Sequence, residues 1–189
     1  MVQRRRGAEL EKALLDAAWE ELADNGYARF TMDGVVKRAG TSPPVLYRRW
    51  SDRDELVRAT IVHVLHESRP ALPDTGSLRE DILTLMRQIN TAHVELITVM
   101  YSHLASYYRE TGRSPAELFD PSAPGRDASL NTLFDRAVAR GEIPADLPTE
   151  RIKTLPFVLL RHEILSAFAS VPEHVLEEIV DTIFLPLVH

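Results

Sequence analysis

The sequence predicts an all-α protein of about nine helices arranged in two domains. Apolar residues recur at spacings of three and four along most of the chain, and no sustained alternation of apolar and polar residues indicates a strand. Capping residues precede most of these apolar segments, and glycine or proline follows them. The segment 68–77 contains two prolines and a glycine, so we place the domain boundary there, with an N-terminal domain at 1–67 and a C-terminal domain at 68–189.

The first four predicted helices have clear start and stop signals. Gly26 and Gly40 follow the first two apolar segments and are typical helix ends. Thr31 and Ser42 are suited to cap the second and third helices, and Asp52 begins a capping box for the fourth. The four helices are predicted at residues 9–25, 32–39, 43–49 and 53–67.

The C-terminal domain is predicted from longer helical segments. Ser77 and Glu80 repeat the capping-box spacing and start a long helical stretch that we expect to be broken once. The connection at 111–125 is rich in proline and glycine. The helical segments of this domain are predicted at residues 78–110, 126–140, 149–169 and 173–187.

Composition excludes several classes of protein. The chain of 189 residues has no cysteine, which rules out disulfides, thiolate zinc sites and a thiol nucleophile. No apolar run approaches the ~20 residues that span a bilayer, so we expect a cytoplasmic protein without membrane contact. The net charge is −6, but residues 26–53 carry six basic and two acidic side chains. This local excess permits contact with nucleic acid on an otherwise acidic chain.

No motif for catalysis or cofactor binding is present in the sequence. It lacks a glycine-rich phosphate loop, an HExxH motif and a GxSxG motif. His63 and His66 lie on adjacent turns of one predicted helix, but no third ligand can be assigned to complete a metal site. We therefore expect neither enzymatic activity nor a cofactor nor a metal.

Residues 31–50 have the organisation of a helix-turn-helix. Two short predicted helices are joined by a glycine turn, and each begins after a hydroxyl residue. Leu46 and Trp50 are spaced to pack inward, which leaves Tyr47 and Arg48 outward, where they suit phosphate and base contacts. A plain helical hairpin with a solvated basic face remains the alternative from spacing alone.

A longer pattern surrounds this segment, with apolar pairs, glycine turns, hydroxyl residues, an aromatic pair and a basic–acidic pair at fixed spacing. Its members are Leu14-Leu15, Ala17-Ala18, Gly26-Tyr27, Thr31, Ala39-Gly40, Ser42, Leu46-Tyr47, Trp50, Arg53-Asp54 and Leu56. The pattern closely resembles the N-terminal DNA-binding domain of TetR-family transcriptional regulators. The chain departs from that pattern at Thr41, Pro44 and Val45, where the family commonly has valine, a small residue and threonine.

The resemblance implies a double-stranded DNA operator as partner. It makes Thr31, Ser42, Tyr47 and Arg53 phosphate binders, although Thr31 and Ser42 can also serve as caps. The basic segment Arg4–Arg6 is either an arm for the minor groove or an ordinary solubilising tail. The predicted DNA-contact residues are Thr31, Lys37, Arg38, Thr41, Ser42, Pro43, Pro44, Val45, Tyr47, Arg48 and Arg53.

The last two predicted helices carry more apolar surface than one helix face can bury. The segment 149–169 is apolar on most sides, and the segment 173–187 has two adjacent apolar columns. The resemblance implies a homodimer through this helix pair, and the alternative is a large monomeric core. The predicted interface residues are Leu155, Leu159, His162, Val175, Ile179 and Ile183.

The stretch 86–108 mixes adaptable apolar side chains with hydrogen-bonding tips. This mixture suits a pocket for a small, partly apolar effector, and a core with surface tyrosines is the alternative. The predicted pocket residues are Met86, Asn90, His93, Met100, Tyr101, His103, Leu104, Tyr107, Phe134 and Phe157.

Together these features predict a ligand-responsive DNA-binding transcriptional regulator. We expect a repressor that binds a palindromic operator as a homodimer and is released by a small molecule. One alternative is a helical ligand-binding or enzymatic protein with a vestigial helix-turn-helix. Another is a constitutive DNA-binding protein without an effector.

Overall fold

The computed structural model of the protein describes residues 7–114, 127–146 and 149–188. These residues form helices and no strand, which confirms the all-α prediction. The helices, in chain order, are α1 (Ala8–Arg29), α2 (Met32–Ala39), α3 (Pro43–Tyr47), α4 (Arg53–Glu67), α5 (Leu78–Ala92), α6 (Val94–Thr98), a π-helical turn (Val99–His103), α7 (Ala105–Thr111), α8 (Asp127–Ala139), α9 (Glu150–Ala167), α10 (Glu173–Glu178), a second π-helical segment (Ile179–Phe184) and a 3-10 turn (Leu185–Leu187).

The chain divides into two compact units. The first unit contains α1–α4 and, from further along the chain, the first π-helical turn and α7. The second unit contains α5, α6 and everything from α8 onward. The segment 99–114 was assigned to the C-terminal domain by the sequence boundary, and in the structure it packs with α1.

The predicted end of the first helix corresponds to a backbone break inside α1. Gly26 adopts φ 65° and ψ 166°, a conformation in the left-handed half of the map that side chains other than glycine rarely adopt. The chain then resumes helical geometry as far as Arg29. The predicted helix end at Asn25-Gly26 is therefore a break in the backbone, and helical geometry continues beyond it.

The core of the first unit is built from one face of α1 and the inward faces of α2, α3 and α4. Burial of each large aliphatic side chain contributes on the order of 1.5–3 kcal/mol. Its fully buried aliphatic members include Leu14, Leu22, Val35, Leu46, Leu56 and Ile61.

Local caps start α2 and α4 as the sequence predicts. The hydroxyl of Thr31 accepts the backbone N–H of Gly34 at 3.0 Å. Asp52 accepts the N–H of Glu55 at 2.9 Å, and Glu55 in turn accepts the N–H of Ser51 at 2.8 Å. The two bonds of Asp52 and Glu55 form a capping box at the start of α4. It is one residue wider than the usual pattern, because Glu55 accepts from Ser51 instead of from Asp52.

The predicted single break in 78–110 is wrong, because the stretch is interrupted more than once. α5 ends at Ala92, with His93 between it and α6. α6 passes into the π-helical turn, and Leu104 separates that turn from α7. The hydroxyl of Tyr108 donates to the carbonyl oxygen of Met100 at 2.9 Å. In a regular helix the carbonyl oxygen of Met100 accepts the N–H of Leu104. The Tyr108 hydroxyl therefore shares an acceptor with the backbone hydrogen bonds of the helix.

The second unit is held together around α5 by polar clamps. Arg79 forms a bidentate pair with Asp181, with N···O distances of 2.6 and 2.7 Å. The side-chain amide of Asn90 both donates to the carbonyl and accepts from the N–H of Val171, each at 2.8 Å. Aromatic packing adds an edge-to-face contact between Phe134 and Phe184. No helix in the described part of the chain is long and apolar enough to cross a membrane.

Candidate nucleic-acid interface

α2, the turn after it and α3 form a helix-turn-helix within the first unit. Gly40 ends α2 in the left-handed conformation, φ 61° and ψ 39°. The N–H groups of Gly40 and Thr41 bond back to the last turn of α2, which redirects the chain into α3. Leu46 and Trp50 are buried, as their spacing predicts, and they anchor α3 on the core.

The opposite face of α3 is open to solvent. Pro43, Pro44 and Arg48 are exposed, and the side chain of Tyr47 is 49% exposed. A wide groove of about 1880 Å³ runs between the first half of α1 and the helix-turn-helix. Its lining includes five of the predicted DNA-contact residues, Arg38, Thr41, Ser42, Val45 and Arg48.

Ser42 occupies the cap position of α3, but its hydroxyl makes no capping hydrogen bond. The prediction that the Ser42 side chain caps α3 is therefore wrong. The next two residues are prolines without an N–H, and the N–H of Val45 is taken by the backbone carbonyl of Ser42 at 3.0 Å. The hydroxyl of Ser42 is consequently exposed and available to a ligand outside the protein.

Thr31 caps α2, and its second predicted use, phosphate binding, stays a prediction. Its oxygen accepts the N–H of Gly34, while the exposed hydroxyl retains its own hydrogen as a donor. A phosphate at the start of α2 would lie where that hydrogen and the positive end of the helix meet.

Arg38 is exposed and lines the same groove, but it is already paired with carboxylates of α1, so its contact with DNA stays a prediction. Its guanidinium forms hydrogen bonds at 2.7 Å to the carboxylates of both Glu21 and Asp24. These bonds, that to Glu21 foremost, raise the pKa of Arg38 above its ordinary value. Because Glu21 is buried, the pair ties α2 to α1.

Lys37 and Arg48 differ from Arg38 in their surroundings. Both are exposed, and within the described residues neither forms an ion pair with a carboxylate. Arg49 also lines the groove, and its guanidinium donates to the carbonyl of Val45, at 3.3 Å. Arg49 was missed by the sequence reasoning, although its position beside Arg48 was a signal for it.

Arg53, the first residue of α4, has an unusual environment. Its guanidinium carbon lies 4.4 Å from the ring centroid of Tyr27, and its Nη2 donates to Glu110 of α7 at 2.7 Å. The hydroxyl of the buried Tyr27 donates to Asp54, and burial followed by this bond raises the pKa of Tyr27. The ring of Tyr107 contacts that of Tyr27 edge to face, with centroids 5.1 Å apart.

The ten predicted pocket residues do not come together in one unit. Met86, Asn90, His93, Phe134 and Phe157 belong to the second unit. The other five, Met100, Tyr101, His103, Leu104 and Tyr107, belong to the first.

Several of these residues already have structural partners. Both polar atoms of the Asn90 side chain are used by the backbone of Val171, and the Tyr107 ring packs on Tyr27. Of the ten, His103 lines an open cleft of about 370 Å³ beside the end of α1. The ten residues thus fall into two groups in separate units, and the pocket stays a prediction.

The predicted interface residues have different exposures. Leu155, Leu159 and Val175 are partly exposed, and His162 and Ile183 are exposed. Ile179 is only 4% exposed and belongs to the core of its own unit. It is therefore not available to an interface, contrary to the prediction. Among the described residues of the second unit, three exposed apolar side chains were not predicted, Val158, Phe168 and Leu187. The segment Arg4–Arg6 lies outside the described residues.

Comparison with known families agrees with this architecture. A family profile described as "Bacterial regulatory proteins, tetR family" matches residues 14–60. A second profile, "Tetracyclin repressor-like, C-terminal domain", matches residues 72–183. The chain belongs to the TetR family and is a DNA-binding transcriptional regulator.

Individual relatives extend over nearly the whole chain. The DNA-binding transcriptional repressor TetR of Mycobacteroides abscessus is 31% identical over 187 residues, which cover 97% of this chain and 96% of the relative. An uncharacterized HTH-type transcriptional regulator of Mycobacterium tuberculosis is 32% identical over 184 residues, covering 93% and 86%. Among solved structures, the flavonoid-responsive regulator FrrA superposes with a TM-score of 0.65 at 22% identity, over 95% of this chain and 97% of FrrA.

Proposed function

We propose that this regulator is a repressor that binds a palindromic operator as a homodimer and releases it when a small molecule binds. The observation that carries the proposal is the solvent face of α3. It presents Tyr47, Arg48 and the free hydroxyl of Ser42, beside Lys37 of α2, without an intramolecular ion pair among them in the described residues.

The chemistry of this face suits double-stranded DNA. Arg48 has the paired donors that match the O6 and N7 acceptors of guanine, while Pro43, Pro44 and Val45 offer apolar groups for the methyl group of thymine. The hydroxyl groups of Ser42 and Thr31 suit phosphate oxygens and would fix the register on the duplex.

The homodimer is supported by apolar side chains that the described residues leave uncovered in the second unit. Val158, Ile183 and Leu187 are each about two-fifths exposed, and Phe168 is 59% exposed. A second copy of the chain would cover these groups, and a two-fold dimer matches the symmetry of a palindromic operator.

The proposed effector and the direction of control rest on the relatives. The M. abscessus relative is described as a repressor, and FrrA is described as responsive to flavonoids. We assign neither flavonoids nor any other compound to this chain. As a regulator that acts on chromosomal DNA, it would work in the cytoplasm, bind no membrane and catalyse no reaction.

A binding titration tests the DNA part of the proposal. The probe is a labelled duplex from the region upstream of the protein's own gene, followed by fluorescence anisotropy at increasing salt. We expect tight binding whose affinity falls steeply with salt, because phosphate contacts release counterions. The absence of binding at low salt, for this duplex and for random duplexes, would contradict the proposal.

A thermal-shift screen of small apolar acids, phenols and drugs tests the effector. We expect at least one compound to raise the unfolding temperature and to weaken binding to the same duplex. A compound that stabilises the protein without changing DNA affinity would separate ligand binding from control. The alternative of constitutive binding would then be favoured.

A further inference from the structure

Arg53, a predicted phosphate contact, already lies against carboxylates of the protein itself. Its Nη2 donates to Glu110 at 2.7 Å, and its Nε lies 3.6 Å from Asp54. One guanidinium thus stands between two carboxylates, which gives its immediate surroundings a net negative charge. A DNA phosphate approaching Arg53 would meet this negative charge as well as the cation.

The two carboxylates differ in how firmly they are fixed. Asp54 follows Arg53 in α4 and accepts the hydroxyl of Tyr27, a side chain with no exposed surface. Tyr27 also supports the guanidinium on its ring face, at 4.4 Å. The Glu110 side chain is 50% exposed, and Arg53 is the ion-pair partner that the structure gives it. Exposed pairs of this kind are weak, so Glu110 is the carboxylate that a phosphate could replace.

Glu110 also comes from a different part of the chain. It lies in α7, 57 residues after Arg53, within the segment 72–183 that matches the C-terminal domain profile. The structure nevertheless places α7 in the compact unit that contains the helix-turn-helix. Tyr107, one turn earlier in α7, is 1% exposed and packs on Tyr27, so the helix is anchored beside Arg53.

We propose that Glu110 competes with DNA phosphate for Arg53, so that the placement of α7 sets how strongly the first unit binds DNA. This inference rests on the proposed function, because it takes Arg53 as a phosphate contact. When Glu110 holds Arg53, the phosphate contact is lost and a negative charge remains near the backbone. When α7 shifts and the pair opens, Arg53 becomes available and the repulsion decreases.

The test uses the full-length protein and a short labelled duplex of random sequence, since phosphate contacts do not depend on sequence. Glu110→Gln keeps the shape of the side chain and removes its charge. We expect it to bind the duplex about three- to tenfold more tightly at low salt. The slope of log affinity against log salt should steepen by about 0.9 for each additional phosphate engaged.

Two further variants make the result specific. Arg53→Ala should bind more weakly than the wild type. Adding Glu110→Gln to it should give a much smaller gain than in the wild type, because the cation for which Glu110 competes is gone and only the repulsion by one carboxylate is removed. Glu173→Gln is the matched control for net charge. Glu173 also pairs with an arginine, Arg87, and its side chain is 52% exposed, but it lies in the second unit. Its affinity should equal that of the wild type, with the oligomeric state of every variant checked by light scattering.

Several outcomes would overturn the inference. These are an unchanged or weakened affinity in Glu110→Gln, a gain of the same size in the Arg53→Ala background, or an equal gain in Glu173→Gln. Wild-type binding of DNA with an unaffected Arg53→Ala variant would also overturn it while leaving the proposed function intact. A wild-type protein that binds no duplex at low salt would instead refute the proposed function, and the inference with it.

Discussion

Four basic side chains near the helix-turn-helix differ in what they contact within the chain. Lys37 and Arg48 have no carboxylate partner in the part of the chain that the structure describes, whereas Arg38 holds two and Arg53 holds one at 2.7 Å. An arginine that is paired with a carboxylate must break that ion pair before the same donors can bind a phosphate. Among these four side chains, Arg48 is therefore the one best placed to bind a base edge, because it has no ion pair to break in the part of the chain that the structure describes.

The contribution of Arg48 can be measured by substitution. Arg48→Ala should cost about 1–3 kcal/mol on the operator and relax the preference for guanine at one position of each half-site. Tyr47→Phe, the comparison variant, should weaken specific and random duplexes by about the same factor. Affinities from anisotropy titrations on both duplexes give the result. An equal loss on both duplexes in Arg48→Ala would show that Arg48 contacts phosphate only.

The apolar start of α3 leads to a separate expectation about the DNA. Pro43 and Pro44 are exposed and have no N–H, so they cannot donate hydrogen bonds to base edges. They can contact the C5-methyl group of thymine in the major groove. Replacing thymine by uracil throughout the operator should therefore weaken binding, as measured in the same titration. Unchanged affinity would exclude methyl contacts.

A second residue-scale prediction concerns Gly34 in α2. A Cβ at this position would overlap the carboxylate of Glu21 and lie 2.9 Å from the hydroxyl oxygen of Thr31. Alanine normally stabilises a helix by about 1 kcal/mol relative to glycine. Here we expect Gly34→Ala to destabilise the protein by about 1–3 kcal/mol, because the buried carboxylate has to move.

Urea denaturation of a double-mutant cycle checks this explanation. Gly34→Ala should cost clearly less in a Glu21→Ala background, where the contact with Thr31 remains but the carboxylate is gone. An equal cost in both backgrounds would assign the effect to Thr31 alone.

At the scale of elements, α5 organises the second unit through side chains on successive turns. Arg79 reaches Asp181, Arg87 reaches Glu173, and Asn90 reaches the backbone of Val171. Each clamp joins α5 to a segment at least 81 residues later in the chain. Their loss should consequently affect stability more than local helix formation.

Asn90→Ala tests the clamp that is buried. It would leave the N–H and the carbonyl of Val171 without their side-chain partners in a site closed to solvent. We expect a loss of about 1–3 kcal/mol, or a fall in unfolding temperature of roughly 2–4 °C per kcal/mol for a chain of this size. Thr91→Ala, at the neighbouring exposed position, is the control. A cost no larger than that of the control would contradict a structural function for Asn90.

The Arg79–Asp181 pair predicts a dependence of stability on pH. The hydrogen bonds from Arg79 lower the pKa of Asp181 below its ordinary value of 3.8. The folded state therefore binds this proton less readily than the unfolded state, so the stabilisation is present above the ordinary pKa. It is lost as the pH falls through the lower folded value.

Thermal unfolding of the wild type and Asp181→Asn between about pH 6 and pH 3 measures this effect. The difference in unfolding temperature should be largest near neutral pH and should shrink on acidification. A constant difference over the whole range would mean that the charge of Asp181 does not contribute.

At the scale of the whole molecule, the second unit leaves apolar side chains uncovered on its last helices. Leu159 is partly exposed and Ile183 is 39% exposed, whereas Ile179 is buried. The two classes make opposite predictions for the same kind of substitution. A charge on an uncovered side chain should prevent association, and a charge in the core should prevent folding.

The variant Leu159→Glu/Ile183→Glu should be a folded monomer by light scattering and circular dichroism. Ile179→Glu, as the comparison, should lose several kcal/mol of stability, because it leaves an unpaired charge in the core. A double variant that remains a dimer would place the interface on another surface of the chain. A folded Ile179→Glu monomer would move Ile179 back to the interface.

The sequence by itself determined the helices, the helix-turn-helix and the family. The caps at Thr31 and Asp52 and the breaks at Gly26 and Gly40 involve residues within four positions of one another, so spacing is sufficient to identify them. The inward direction of Leu46 likewise follows from helical period. These features depend on local backbone geometry, which the order of residues fixes directly.

Only the tertiary structure decided which polar side chains are free. Arg38 and Arg53 look alike in sequence, yet their carboxylate partners lie 17 and 57 residues away and are brought to them by α1 and α7. Asn90 is occupied by a backbone segment 81 residues later, and Ile179 is buried although its column resembles that of Ile183. Such contacts depend on how distant helices pack, and no periodic pattern along the chain records that packing.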